Sequence, residues 1–139
     1  YDAISRILSS VSSRDELRVR LELFVEEMVT SIMADPNGFE IVEREMRAAN
    51  PLVMEVYQGS LHKVFQHVVD FFTEAQRNSL LKEDLEPIIV AGLLFSSTCN
   101  MARKETIAKR FFNVTFEDEK WRKKFGHQVV AVLMNGVMK

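Results

Sequence analysis

Three histidines are the first side chains to consider for a metal site or for general-base chemistry. His62 and His67 are five residues apart, and on one helix that spacing turns them about 140° away from each other. Zinc ligands that share a helical face stand three or four residues apart. His127 could meet either of them in space, but no Asp or Glu stands at a ligand spacing. We therefore predict no metal site.

Cys99 is the second candidate for chemistry, because a thiolate is a strong nucleophile when a histidine or a helix N-terminus activates it. The residues around Cys99 form an apolar helical segment, which favours a buried and inert thiol. The five glycines are scattered singly, so the sequence has neither a phosphate-binding glycine loop nor a G-x-S-x-G motif. We predict no catalytic residue and no cofactor, and therefore that the chain is not an enzyme.

Length and composition are typical of one globular domain: 139 residues, of which 47% are hydrophobic and 27% charged. The formal net charge of −2 lacks the positive excess of a free-standing nucleic-acid-binding protein. Basic clusters occur within residues 103–124, but acidic residues lie among them, so a solvated face of mixed charge is the simpler interpretation. No apolar run reaches the roughly 18 to 20 residues of a membrane span. With a single cysteine and hence no internal disulfide, these features predict a cytoplasmic protein without a membrane partner.

Apolar residues recur at helical spacing along almost the whole chain, which predicts an all-α fold. A short first helix ends near residue 11, and Ser13 and Glu16 form a capping-box pattern that predicts a helix start near residue 14. A third, shorter helix ends at Asn50, before a proline. One apolar face then continues over residues 52–81 and predicts a single long helix, with Gly59 as the place where it could bend.

A fifth helix is predicted from Pro87, and it is apolar on nearly every side. Such a helix must be buried on both sides, either centrally or by a partner subunit. Over residues 103–116 helical spacing competes with a turn, so the sequence leaves this segment open. Thr115 is a candidate cap for a last helix that begins near Glu117. We expect an antiparallel bundle of about six helices.

The inward stripes of three long predicted helices carry aromatic and methionine side chains, which adapt to irregular apolar guests. The simpler interpretation of these stripes is a packed core. Polar side chains such as His62 and Thr98 fall on or beside the same stripes, and a fully packed core would not need them. A core and a ligand cavity therefore both stay open at this point.

Three segments of the chain have motifs in a familiar order. The break Ala34-Asp35-Pro36-Asn37-Gly38-Phe39 followed by Arg44-Glu45 is similar to the "helix, H-P-x-x-F, R-E" segment of TetR-family transcriptional regulators. Residues 71–95 look like that family's "G-Q-x-x-G-x-(L/I)-x-x-D-(L/I)-D-P…A" junction, although Asn78-Ser79 stands where a glycine is usual and Glu86 where Asp is usual. Residues 133–137 are similar to the family's final-helix ending. In order and spacing, the resemblance covers residues 4–138.

The resemblance implies a homodimeric core that binds a small effector behind an N-terminal helix-turn-helix domain. Residues 1–12 would be the end of the helix that connects to this DNA-binding domain, which we expect to be absent from this sequence. Residues 13–139 would be the effector-binding and dimerisation domain. An apolar or amphipathic effector would control DNA binding allosterically, by binding one conformation better than the other. DNA would be a partner only through the absent domain.

On this interpretation the pocket lies among the second, fourth and fifth helices, and the last two long helices form the dimer interface. The predicted ligand-binding residues are Phe24, Met28, Met54, Tyr57, His62, Phe65, Phe95 and Thr98. The predicted dimer-interface residues are Leu94, Trp121, Phe125, Val129, Val132, Leu133 and Gly136. The alternative is a helical protein–protein interaction domain that uses the same apolar helices and has no small-molecule pocket.

Overall fold

The computed structural model describes residues 2–59 and 61–139, apart from the side chains of Asp2, Tyr57 and Gln58. These residues form α-helices and no β-strand, which confirms the all-α prediction. The helices are α1 (Asp2–Ile7), α2 (Arg14–Ala34), α3 (Pro36–Arg47), α4 (Pro51–Gly59), α5 (Leu61–Arg77), α6 (Pro87–Arg103), α7 (Glu105–Phe112) and α8 (Glu119–Val137). One isolated antiparallel bridge pairs Leu81 with Met138.

The described helices number eight rather than about six. Of the long helix predicted over residues 52–81, the structure describes α4 and α5, and residue 60 between them lies outside the described residues. Helix α5 ends earlier than predicted because Ser79 has a positive φ of 59°. The Leu80 and Ser79 amides donate to the carbonyls of Ala75 and Gln76 at 2.9 and 3.1 Å. This arrangement ends a helix through a left-handed residue. The segment that the sequence left open contains α7.

The helix ends explain which predicted boundaries are right. Ser13 caps α2 by accepting from the Glu16 amide at 3.2 Å, so the predicted start is confirmed. The prediction that Thr115 caps the last helix is wrong. The Thr115 hydroxyl accepts from the Glu117 amide within the preceding turn, and the Asp118 carboxylate caps α8 by accepting from the Lys120 amide at 3.0 Å.

The core is built mainly from α2, α5, α6 and α8. Helix α2 packs against α6 and α8, and α5 packs against α6. Helix α1 contacts α2 and α5 and adds Ile4 to the core, and Leu8, the residue directly after α1, is also part of the core. The largest fully buried side chains are Phe24, Phe72, Leu17, Leu21, Leu81, Leu94 and Met134. Helix α3, by contrast, has no buried residue, so it covers α2 loosely and leaves space beneath it.

Candidate functional site

A cleft of about 600 Å³ lies between the core and the loosely packed α3 and α4. Its inner wall consists of core side chains that are at most 7% exposed: Ile4 of α1, Met28 and Ile32 of α2, and Val64 of α5. Phe39 and Val42 of α3, Val56 and Gly59 of α4 and Leu61 of α5 also line it. An apolar concavity of this size is typical of small-molecule sites.

The polar groups of this cleft stand where α2 ends and α3 begins. Ser31 and Asp35 line it there, together with Gly38. The Asp35 Oδ1 atom accepts a hydrogen bond from the Gly38 amide at 3.0 Å, and Asp35 is thus the N-cap of α3. The described lining residues include no Lys, Arg or His. The carboxylate of Asp35 is therefore the charged group that these lining residues present.

The predicted ligand-binding residues are divided between this cleft and other places. Met28 lines the cleft. Phe24 and Thr98 are fully buried in the core. The Thr98 hydroxyl donates to the Leu94 carbonyl at 2.8 Å, so its hydrogen bond is satisfied within its own helix. For these two buried residues, the structure shows the packed core that the sequence had left as one of two interpretations.

Phe65 and Phe95 contact each other, with ring centroids 5.6 Å apart and the rings nearly perpendicular. Phe95 lines a second groove, of about 480 Å³, together with Glu43 and Arg103. Met54 and His62 are exposed, and the side chain of Tyr57 lies outside the described residues. The described side chains of the predicted set thus do not surround one cavity.

An open apolar groove of about 390 Å³ runs between α6 and α8. Four of the predicted dimer-interface residues line it: Leu94, Val129, Val132 and Leu133. Leu93 joins them, with 55% of its surface exposed, and Val132 is 77% exposed. Apolar side chains scattered singly over a surface are ordinary, but a contiguous apolar groove is typical of an interaction site.

The other three predicted interface residues lie along α8 away from this lining. Phe125 is buried, and its ring packs against that of Phe116 at 5.0 Å. Trp121 is half-buried, near the beginning of the helix. Gly136 is exposed near its end, and a Cβ atom placed there would have no neighbour within 4 Å.

Several cleft residues were not among the predicted ligand-binding positions. Ile4 and Val42 were recognisable as apolar members of helical stripes, but nothing in the local pattern relates one stripe to the other. Asp35 was recognisable only as part of the break between two helices. These residues line one cleft only because of the way in which α1, α2 and α3 pack, and the local sequence pattern does not specify that packing.

Cys99 is 4% exposed. Burial, and to a smaller extent the negative charge of Glu43, raise the pKa of its thiol to about 12, while the positive charge of Arg103 acts in the opposite direction. In the described part of the chain, no group of three or more His, Cys, Asp and Glu residues is placed to hold a metal ion. Among the same residues, every helix is too short or too polar to cross a membrane.

Comparison of the chain with protein-family models gives no match, and none of the curated proteins is significantly similar to it.

Proposed function

We infer that this chain is the ligand-sensing and dimerisation core of a TetR-like transcriptional regulator. A small apolar or amphipathic effector binds in the cleft beneath α3, and two copies of the chain associate as antiparallel helical bundles through α6 and α8. A helix-turn-helix domain, which the sequence resemblance places before α1, reads DNA. Effector binding changes how tightly that domain binds its operator.

The observation that carries this proposal is that α1 forms part of the cleft wall. Ile4 of α1 lines the cleft beside Met28 of α2 and Val64 of α5, and all three are buried. An effector between them would touch the helix that leads to the DNA-binding domain. A ligand shifts a conformational equilibrium only by its difference in affinity for the two states. Because α1 forms part of the cleft wall, a movement of α1 would change the shape of the cleft and therefore its affinity for the effector.

The dimer is supported by the groove between α6 and α8. Leu93 and Val132 expose more than half of their surface there, and Ile89, one turn before Leu93, is 60% exposed. A second copy would remove these side chains from water, and this transfer contributes about 25 cal/mol for each Å² of apolar surface buried, before the entropic cost of association is subtracted.

The same groove supports a second candidate function, a helical protein–protein interaction domain without an effector. On this alternative, the groove between α6 and α8 takes a different protein and the cleft beneath α3 takes no ligand. The two candidates therefore differ at the cleft, which makes small-molecule binding the deciding observation.

Nile red, a neutral apolar dye that fluoresces when it leaves water, tests the proposal. We expect saturable binding by the wild-type chain and loss of binding in Val42→Trp, because Val42 lines the cleft and a larger ring would fill it. Ile41→Trp is the matched control, since Ile41 is the adjacent residue of α3 and is 50% exposed. Absence of saturable binding, or equal binding by the two variants, would contradict the proposed cleft.

A further inference from the structure

The cleft beneath α3 has an unbalanced set of charges. Its described lining includes the carboxylate of Asp35 and no Lys, Arg or His. An acidic ligand is usually held by a cation or by convergent hydrogen-bond donors. The Gly38 amide, a donor at this position, already donates to Asp35. The described lining therefore contains no cation that could pair with an anionic head group.

Only one of the two oxygens of the Asp35 carboxylate accepts a hydrogen bond from the described residues. Oδ1 accepts from the Gly38 amide at 3.0 Å. In the described part of the chain, Oδ2 accepts no hydrogen bond and Asp35 takes part in no ion pair. The side chain is exposed at the rim of an otherwise apolar cavity. A ligand cation at this rim would meet a carboxylate without displacing another basic group.

The wider charge distribution has the same sign. The lining residues all belong to residues 1–64, which carry seven Lys and Arg and eleven Asp and Glu, a net charge of −4. The potential of a whole segment adds to that of the nearest group and changes the local concentration of charged ligands. Arg103 lies outside this segment but pairs with Glu43 at 2.7 Å; with Arg103 included the net charge is −3, which favours cations over anions near the cleft.

We propose that the effector is a cationic amphiphile, whose apolar tail lies against Ile4, Met28 and Val64 and whose positive head group faces Asp35. This inference rests on the proposed function, because it names the ligand class of the same cleft. An uncharged amphiphile of equal chain length binds less tightly, and a carboxylate amphiphile binds least.

The test uses three molecules with decyl-length chains: decyltrimethylammonium and decanoate, each below its micelle concentration, and 1-decanol below its solubility limit. Binding to the intact chain is measured by isothermal titration calorimetry. Because two unit charges about 4 Å apart in water interact by about 1 kcal/mol, we expect affinity to fall about fivefold from the cation to the alcohol and about fivefold again to the anion. The trimethylammonium group donates no hydrogen bond, so its advantage over the alcohol reports charge.

Asp35→Asn removes the charge and keeps an N-cap, since Asn and Asp cap helices about equally well. We expect it to bring the affinity for decyltrimethylammonium close to that for 1-decanol, with 1-decanol binding unchanged. Asp15→Asn removes one negative charge from exposed Asp15 of α2, outside the cleft lining, and is the matched control. Asp35→Ser, also a good cap, repeats the test if the first variant is unstable.

The outcomes separate this inference from the proposed function. If none of the three molecules binds saturably to the wild-type chain, the cleft is not an effector site and the proposed function fails. If they bind and decanoate is as tight as decyltrimethylammonium, or Asp35→Asn keeps the wild-type ranking, the site stands and the inference about charge is wrong.

Discussion

The carboxylate of Glu105 accepts hydrogen bonds from the backbone amide of Phe116, at 3.1 Å to Oε1 and 3.0 Å to Oε2. It also accepts from the Thr115 hydroxyl at 3.2 Å. Glu105 begins α7, and Phe116 lies just before α8. The contact therefore fixes the turn between these helices and places the Phe116 ring against Phe125 of α8. The position of α8 in turn sets the shape of the groove that it forms with α6.

Replacing this carboxylate should weaken the fold. We expect Glu105→Gln to lower the free energy of unfolding by about 1 to 2 kcal/mol, because hydrogen bonds to a charged acceptor contribute more than neutral ones. Urea denaturation followed by circular dichroism measures the change. Glu117→Gln is the control, since the exposed Glu117 carboxylate makes a long ion pair with Lys109, at 3.6 Å, and its loss should cost less than about 0.5 kcal/mol. Equal effects of the two variants would show that the turn does not depend on Glu105.

The distance along the chain between interacting groups decided what the sequence could predict. The Ser13 and Glu16 cap joins residues three apart, so its pattern was visible and the start of α2 was right. Glu105 and Phe116 are eleven residues apart, and the segment between them stayed open. Ile4 and Val64 line the same cleft, and the helical pattern of the sequence carries no information about this shared position. Exposed apolar residues on α6 and α8 were easier to anticipate from the sequence, because the apolar outer face of a helix is visible within that helix.

Ala49 carries a conformational cost that a single substitution should relieve. It ends α3 with a positive φ of 55°, where the Cβ atom crowds the neighbouring backbone and glycine does not. We expect Ala49→Gly to raise the free energy of unfolding by about 1 kcal/mol. Ala48→Gly is the matched control. Ala48 has a right-handed helical backbone, with a φ of −79°, so we expect this variant to be less stable than the wild type. Thermal denaturation compares the two, and a loss in both variants would show that the left-handed position is not strained.

The buried thiol predicts a particular loss of stability in alkali. An unfolded cysteine releases its proton near its ordinary pKa of 9.0, whereas burial raises the pKa of Cys99 to about 12. The folded state thus holds a proton that the unfolded state has lost, so stability falls as the pH rises from about 9 towards 12. By pH 10 we expect a loss of about 1 kcal/mol from this group. Urea denaturation of wild type and Cys99→Ala at pH 8 and pH 10 isolates the contribution of this thiol, because all other groups that lose protons in this range are present in both proteins. Parallel losses would mean that the thiol ionises freely in the folded protein.

The groove between α6 and α8 predicts which exposed valine controls association. Val132→Glu places a charge among Leu93, Val129 and Leu133, where a dimer would have to bury it, and we expect the variant to be monomeric. Val19→Glu is the control, because Val19 is also exposed, at 55%, but lies on α2 outside this groove. Size-exclusion chromatography with light scattering gives the mass of each. If the wild type is itself monomeric, or if Val19→Glu dissociates as much as Val132→Glu, then α6 and α8 do not form the dimer interface.

Native mass spectrometry of the wild-type chain with decyltrimethylammonium is the sharpest test of an effector-binding dimer, because one spectrum reports both association and ligand binding. We expect a dimer, at twice the 16.0 kDa of one chain, carrying up to two bound molecules. The same spectrum of Val42→Trp should show the dimer without them. A wild-type monomer, or bound molecules retained equally by Val42→Trp, would contradict an effector-binding dimer whose site is the cleft beneath α3.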